Sequence, residues 1–151
     1  MLEKPYHYKD CGLDYIYLLD GVITKETPHG SGTAIVNAEE LHAAIAKHIV
    51  TSPRPLCGQE VRFLRSILRL SQTSLARTVG VDRSTVARWE SEPHEPIPEM
   101  AATAVRLIYG AEQDTNSVIK QVMEMRRAED DDDASVARVN LSSTNGWHRA
   151  A

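Results

Sequence analysis

The chain has 151 residues, enough for one domain of ordinary size or two small ones. Apolar residues make up 42% and charged residues 25%, which is the balance of a globular rather than a disordered protein. No apolar run approaches the roughly 18 residues that a membrane helix needs, and the first ten residues contain no positive-then-apolar signal segment. We therefore expect a cytoplasmic protein with no membrane segment.

The chain has two cysteines, Cys11 and Cys57, so neither a disulfide framework nor a four-thiolate zinc site is expected. A mixed metal site with His7, His42 and His48 can be imagined, but these spacings match no common ligand pattern. The sequence contains no glycine-rich phosphate loop, nucleophile elbow or paired metal-ligand motif. We expect no metal, no cofactor and no enzymatic activity.

The net charge of -4 is distributed unevenly. Residues 61–89 hold six arginines and one acid, a local charge of +5, whereas residues 1–57 carry five basic against seven acidic residues and residues 111–151 carry five against eight. Arginine suits the geometry of phosphates and guanines better than lysine does. A solvated basic helix face is the alternative, and charge alone leaves both open. The six arginines are Arg62, Arg65, Arg69, Arg77, Arg83 and Arg88.

The N-terminal residues 1–50 predict a small β-sheet followed by a helix. Apolar and aromatic side chains alternate along residues 6–8 and 15–19, and residues 34–36 close a further short strand. The dipeptide Asp20-Gly21 is typical of a hairpin turn, and a second turn is expected at 30–32.

Asn37 is expected to cap the helix that follows, with Glu40 as its capping-box partner. The proline-containing stretch 51–57 is interpreted as a stiff linker. We expect the unit 1–50 to serve dimerisation or partner binding.

From residue 58 the apolar period becomes helical, which predicts an all-α domain of five helices over residues 58–127. Ser71 and Asp82 are expected as N-caps, and Gly80 as the residue that ends the second helix. Gly110 is expected to end the fourth helix, whose inward side is assigned to Met100, Ala104, Leu107 and Ile108. The predicted helices cover about residues 58–69, 72–79, 83–90, 98–109 and 114–127.

Residues 128–151 contain a run of acidic residues at 129–133 and then a Ser/Thr/Asn-rich stretch without an apolar period. Such a segment is expected to be a disordered acidic tail. The fold class predicted for the whole chain is α+β.

The second and third predicted helices, separated by a glycine-containing turn, have the spacing of a helix-turn-helix. Val86 and Trp89 would bury one side of the third helix. Its opposite side keeps residues that are small or able to donate hydrogen bonds, which is what reading the major groove of DNA requires. These residues are Arg83, Ser84, Thr85, Ala87 and Arg88.

The segment LSQTSLARTVGVDRSTVARWE, residues 70–90, resembles the Cro/repressor-type (Xre) helix-turn-helix family, and the resemblance extends through residues 58–110. In that family the second helix usually begins with a Gln that helps clamp the DNA backbone. The resemblance implies base reading and backbone contacts by a set of residues on the second and third helices. The implied DNA-binding residues are Gln72, Thr73, Arg83, Ser84, Thr85 and Arg88.

The segment EVRFLRSILRLSQ, together with the later segment VARWE, also resembles the zinc-ribbon/helix-turn-helix antitoxins of the MqsA type. Those proteins have an N-terminal metal-binding unit and a C-terminal DNA-binding unit. This chain departs from their pattern because the N-terminal pairs of cysteines are missing, and only Cys11 stands in residues 1–50.

These patterns favour a transcriptional regulator, a repressor that binds a palindromic operator on double-stranded DNA as a homodimer and associates with the nucleoid when bound. The alternative is an antitoxin whose residues 1–50 neutralise a protein toxin while the helix-turn-helix represses the shared operon. A third hypothesis, a helix-turn-helix used only for protein interaction, is disfavoured by the exposed arginines. The fifth predicted helix is the first candidate for the dimer surface, and the N-terminal sheet is the second.

Overall fold

The computed structural model describes residues 2–113 and 138–150. These residues form two compact units, one made of the residues up to Ile45 together with 138–150, the other of residues 46–113. The described residues contain five helices and six strands, which confirms the α+β class. None of the helices in these ranges is long and apolar enough to cross a membrane.

The elements follow one another along the chain in a β-then-α order, with two strands after the helices. The strands are β1 (Tyr6–His7), β2 (Ile16–Leu18), β3 (Val22–Thr27), β4 (Gly30–Ile35), β5 (Val139–Ser142) and β6 (His148–Arg149). The helices are α1 (Ala38–Thr51), α2 (Gly58–Ile67), α3 (Gln72–Val79), α4 (Arg83–Ser91) and α5 (Glu99–Glu112).

The first unit contains a four-stranded sheet in the order β1-β2-β5-β6 and a separate two-stranded sheet, β3-β4. Strand β2 pairs antiparallel with β1 and parallel with β5. The register places Ile16 opposite Val139 and Leu18 opposite Leu141, and all four side chains are buried. The core of this unit is therefore built from both ends of the described chain.

The expectation of a disordered tail over 128–151 is wrong for residues 138–150, which form β5 and β6. The stretch lacks a long apolar period, yet Val139, Leu141 and Trp147 are buried. The Trp147 backbone N–H donates to the Glu40 carboxylate at 2.9 Å, and its indole N–H donates to the Val36 carbonyl at 2.7 Å. Long-range pairing therefore overrides a weak local pattern.

The Asp20-Gly21 dipeptide is not a hairpin turn, because the strands on either side belong to different sheets. Gly21 has a φ of +74°, and a Cβ there would lie 2.6 Å from the Trp147 ring, so the turn needs glycine for a close approach. The Asp20 carboxylate accepts hydrogen bonds from the Ser142 hydroxyl at 2.6 Å and from the Ser143 backbone N–H at 2.5 Å. It thus links the end of β2 to the end of β5.

Two other local predictions in the first unit also differ from the structure. The predicted turn at 30–32 lies inside β4, since β3 and β4 pair in register from Val22 opposite Ile35 to Thr27 opposite Gly30. The Glu40 side chain, expected to cap α1 through Asn37, accepts the Trp147 N–H instead.

In the second unit, α2, α3, α4 and α5 surround a shared apolar core. The residues predicted as a linker at 51–57 are partly built into it, because Leu56 and Cys57 are buried and Thr51 is the last residue of α1. The fully buried members of this core include Leu56, Val61, Leu64, Leu75 and Val86.

Helix α5 differs from its prediction in both length and rotation. Gly110 lies buried inside the helix, which continues to Glu112. Met100 is 78% exposed, whereas Ala101, Val105 and Tyr109 are buried. Small and apolar residues occupy most sides of this segment, so the periodicity did not fix which side faces the core. The predicted fifth helix, 114–127, and the acidic run lie outside the described residues.

Candidate nucleic-acid interface

Local hydrogen bonds set the geometry of the α3–turn–α4 segment. The Ser71 hydroxyl accepts the Ser74 N–H at 3.0 Å, which confirms Ser71 as the N-cap of α3. Gly80 ends α3 in the left-handed conformation, with φ +88°, and its N–H donates to the Ala76 carbonyl at 2.8 Å, as predicted. Asp82 occupies the N-cap position of α4, and its carbonyl accepts the Thr85 N–H.

The rotation of α4 about its axis is fixed by Val86 and Trp89, which are 0% and 6% exposed. With about 3.6 residues per turn, Ser84 and Arg88 fall on the opposite side of the helix, and both are exposed. Arg83 is exposed in the first turn. Helix α4 therefore has one side against the core and an opposite side that carries donors toward solvent.

The remaining predicted DNA-binding residues have different environments. Thr85 is half-buried, on the flank between the core side and the exposed side of α4. Gln72 and Thr73 begin α3, where Gln72 is half-buried and Thr73 is exposed. The six residues therefore form two groups, one in the first turn of α3 and one along α4.

An ion pair between Arg65 and Glu90 joins α2 to α4. The Arg65 Nε and Nη2 atoms donate to the two Glu90 carboxylate oxygens at 2.8 and 2.7 Å, and Nη1 donates to the Leu70 carbonyl at 3.0 Å. The hydrogen bonds to Glu90 and the charge of its carboxylate raise the pKa of Arg65, although its partial burial opposes the shift. Arg65 therefore positions α4, whereas the charge pattern had grouped it with the other five arginines.

Close backbone contact brings the start of α2 against the end of α4. A Cβ at Gly58 would lie 1.8 Å from the Trp89 carbonyl oxygen, so glycine is required for this approach. The Gly58 and Gln59 N–H groups donate to the Glu95 and Pro93 carbonyls. Sequence analysis missed this role, and the only available signal was a glycine at the first position of a predicted helix.

The start of α2 is further held by a buried polar cluster. Glu60 accepts from the Cys57 backbone N–H at 3.1 Å and from the Arg54 guanidinium at 2.8 Å. Burial, together with the nearby Glu60 carboxylate, raises the pKa of the Cys57 thiol to about 12. Because a thiol is reactive as its thiolate, Cys57 is chemically inert at neutral pH.

Five of the six arginines in residues 61–89 are free to act on a ligand. They are exposed, and none of them belongs to an ion pair within residues 2–113 and 138–150. They are Arg62, Arg69, Arg77, Arg83 and Arg88. Among the described residues no group of three His, Cys, Asp or Glu side chains could hold a metal ion. The exposed guanidinium groups at this surface can therefore bind anions and donate hydrogen bonds.

Comparison with known families gives a match over residues 64–106, to the family described as helix-turn-helix. The matched region runs from within α2, through the whole of α3 and α4, to Arg106 in α5. Comparisons with curated proteins and with solved structures give no match. Residues 64–106 are similar to the Cro/C1-type, Xre-like helix-turn-helix family, and this match supports a DNA-binding regulator of that type.

Proposed function

We propose that this protein is a transcriptional repressor that binds a palindromic operator as a homodimer, with α4 in the major groove of double-stranded DNA. Arg83, Ser84 and Arg88 read base edges, and Thr85 lies near the backbone. Gln72 and Thr73 hold the phosphate backbone from the start of α3. Such a protein acts in the cytoplasm and is associated with the nucleoid while bound to its operator.

The observation that carries this proposal is the arrangement of α4. Its buried side, formed by Val86 and Trp89, fixes its rotation, and the Arg65–Glu90 ion pair holds it against α2. The opposite side carries Arg88, whose guanidinium can donate two parallel hydrogen bonds to a guanine. A rigidly held helix with donors on its free side supports sequence reading rather than only nonspecific attraction.

The test begins with selection of bound sequences from a random DNA pool at about physiological salt. A palindromic consensus is expected, since a two-fold symmetric dimer binds two inverted half-sites. Sedimentation of the protein alone and with the selected duplex measures the stoichiometry. Two chains per duplex support the dimer, and a single chain on a non-repeated site contradicts it.

Arginine substitutions then test the assignment of α4. Arg83→Ala and Arg88→Ala should each weaken operator binding by about 1–3 kcal/mol and relax specificity at particular base pairs. Gln72→Ala should instead weaken binding to all sequences by similar factors. Binding titrations on matched operator variants distinguish these outcomes, and unchanged affinity and specificity in both arginine variants would show that α4 is not the reader.

A core substitution provides the matched control. Trp89→Ala should lower the free energy of unfolding by about 3–5 kcal/mol, because it leaves a cavity beside α2. The arginine and glutamine variants should melt like the parent protein, since those side chains lie outside the core.

The antitoxin is the second candidate, supported by the folding of the N-terminal strands into a compact unit separate from the helix-turn-helix. Within that unit the β3-β4 hairpin pairs with no other described strand. Expression of the protein from an adjacent gene should then arrest growth, and co-expression of the full chain should restore it. Growth arrest that the full chain leaves unrelieved argues against this candidate.

A further inference from the structure

A second basic site lies in the first unit, on the part of the chain that sequence analysis assigned to a tail. A surface cavity of about 290 Å³ is lined by Arg138, Asn140, Arg149 and Ala150. Its two arginines come from the start of β5 and from the edge strand β6. It shares no residue with the helix-turn-helix.

One of the two guanidiniums is held in place before any ligand arrives. The Arg138 Cζ atom lies 4.1 Å from the centre of the Tyr17 ring, and its Nε donates to the Asn140 side-chain oxygen at 3.0 Å. Tyr17 is itself stacked with His7, with ring centres 4.4 Å apart. Arg138 therefore keeps its terminal amino groups available in a fixed orientation, which lowers the entropy lost on binding.

Among the described residues, the positive charge at this cavity has no acidic counterpart in an ion pair. Neither Arg138 nor Arg149 is in an ion pair with a residue in the described ranges. Two like charges that line one small cavity repel each other, and an anion between them relieves that repulsion. Guanidinium groups match oxyanions through parallel, bidentate hydrogen bonds.

We propose that this cavity is a phosphate-binding site, occupied either by a free phosphorylated small molecule or by a backbone phosphate of DNA. A phosphate monoester carries a charge of about -1.5 to -2 near neutral pH, which matches two arginines better than a singly charged carboxylate or phosphodiester does. A backbone phosphodiester still offers two unesterified oxygens that can accept the parallel hydrogen bonds of a guanidinium. The site is independent of the assignment of α4 as the reading helix.

In the first arm of the test, the full chain is titrated with inorganic phosphate, and the heat of binding is measured by calorimetry. Arg149→Ala should weaken binding by about tenfold or more, and Arg138→Ala by a similar factor. Lys25→Ala removes an exposed positive charge elsewhere in the same unit and should leave the affinity unchanged. Tyr17→Leu keeps all charges but removes the ring beneath Arg138, so it should weaken binding by a smaller factor.

The second arm titrates duplex DNA carrying the selected operator. Phosphate binding that is lost in the arginine variants, with operator affinity unchanged, assigns the site to a free phosphorylated ligand. Reduced operator affinity in those variants, but not in Lys25→Ala, assigns it to the DNA backbone.

The proposal is overturned if Arg149→Ala, folded by its melting curve, matches Lys25→Ala in both titrations. It is also overturned if acetate binds as tightly as phosphate, because the site would then lack the stated preference. Loss of operator binding in Arg88→Ala with phosphate binding intact would separate this site from the reading helix.

Discussion

Among single side chains, Arg65 and Glu90 have the clearest structural role. Their ion pair is bidentate and largely shielded, with side-chain exposures of 19% and 6%. Removing one partner from such a pair leaves a poorly solvated charge, which costs more than the pair itself contributes.

We expect Arg65→Ala to lower the free energy of unfolding by about 2–4 kcal/mol. Urea denaturation measures the change. Arg62→Ala removes the same charge from an exposed position of the same helix and should change stability by no more than about 0.5 kcal/mol. Equal effects of the two substitutions would mean that the ion pair does not hold α4. Replacing both partners, by Arg65→Met with Glu90→Leu, should recover much of the loss.

The Asp20 carboxyl makes the stability of the first unit depend on pH in the acidic range. Burial raises the pKa of its carboxyl, but the hydrogen bonds from Ser142 and Ser143 outweigh this effect, and the net pKa lies below its ordinary value of 3.8. A carboxyl with a lower pKa in the folded than in the unfolded state stabilises the fold above the unfolded pKa. That contribution is lost as the pH falls through the folded pKa.

The parent protein should therefore lose its stability advantage over Asp20→Asn as the pH falls below about 4. Thermal melts of both proteins between pH 7 and pH 2.5 measure the difference. Asp10→Asn, at an exposed position of the same unit, gives a reference for an aspartate outside this contact. A constant difference between parent and Asp20→Asn across this range would contradict the assigned hydrogen bonds.

Among the secondary-structure elements, β5 shows most directly how distant residues complete a core. Leu141 is fully buried opposite Leu18, although its own segment offers little apolar periodicity. We expect Leu141→Ala to cost about 2–5 kcal/mol. Ile23→Ala, at an apolar residue that is 48% exposed, should cost far less.

The two tryptophans allow this cost to be assigned to one unit. Trp147 lies in the first unit and Trp89 in the second. In a Trp89→Phe background, the remaining Trp147 reports on the first unit, and its fluorescence should show that Leu141→Ala unfolds at a lower denaturant concentration than the same background without Leu141→Ala. In a Trp147→Phe background, the remaining Trp89 reports on the second unit, and Leu141→Ala should leave the unfolding midpoint of that unit unchanged. A tail that contributes nothing to the core would leave both transitions unchanged.

Local signals predicted the helix-turn-helix well, because its caps and contacts are close in sequence. Ser71, Gly80 and the buried Val86 and Trp89 were all found from spacing alone. The β2–β5 pairing and the role of Arg65 depend on contacts that are distant in sequence. Nothing near Val139 indicates a parallel partner at Ile16. Nothing in the arginine pattern separates Arg65, which binds Glu90, from its neighbours. The roles of Gln72 and Arg88 on DNA stay predictions.

For the chain as a whole, a net charge of -4 conceals a strongly positive segment, residues 61–89. Three exposed arginines that the proposal does not assign to base edges, Arg62, Arg69 and Arg77, can each neutralise one phosphate. The logarithm of the DNA-binding constant should then fall with the logarithm of salt concentration with a slope of about -2.7 per chain, or about -5.4 for the proposed dimer. Titrations of the dimer between 50 and 200 mM salt should show a loss of about 2,000-fold.

Two substitutions separate the charged from the neutral contacts. Arg77→Ala should reduce the magnitude of the salt slope by about one per chain, whereas Gln72→Ala should weaken binding without changing the slope, since glutamine releases no counterion. A slope near zero in the parent protein would rule out phosphate neutralisation as the source of affinity.

The parallel pairing of β2 with β5 has a consequence for biosynthesis. Asp20 and Ser143, which meet at the ends of these strands, are 123 positions apart. At about 5–20 residues per second, a ribosome needs on the order of 10 s to make the second after the first. Helices α2–α5, whose contacts are local, can fold in that interval. A nascent chain that stalls before residue 139 leaves Ile16 and Leu18 without their partners on β5, as targets for chaperones and proteases.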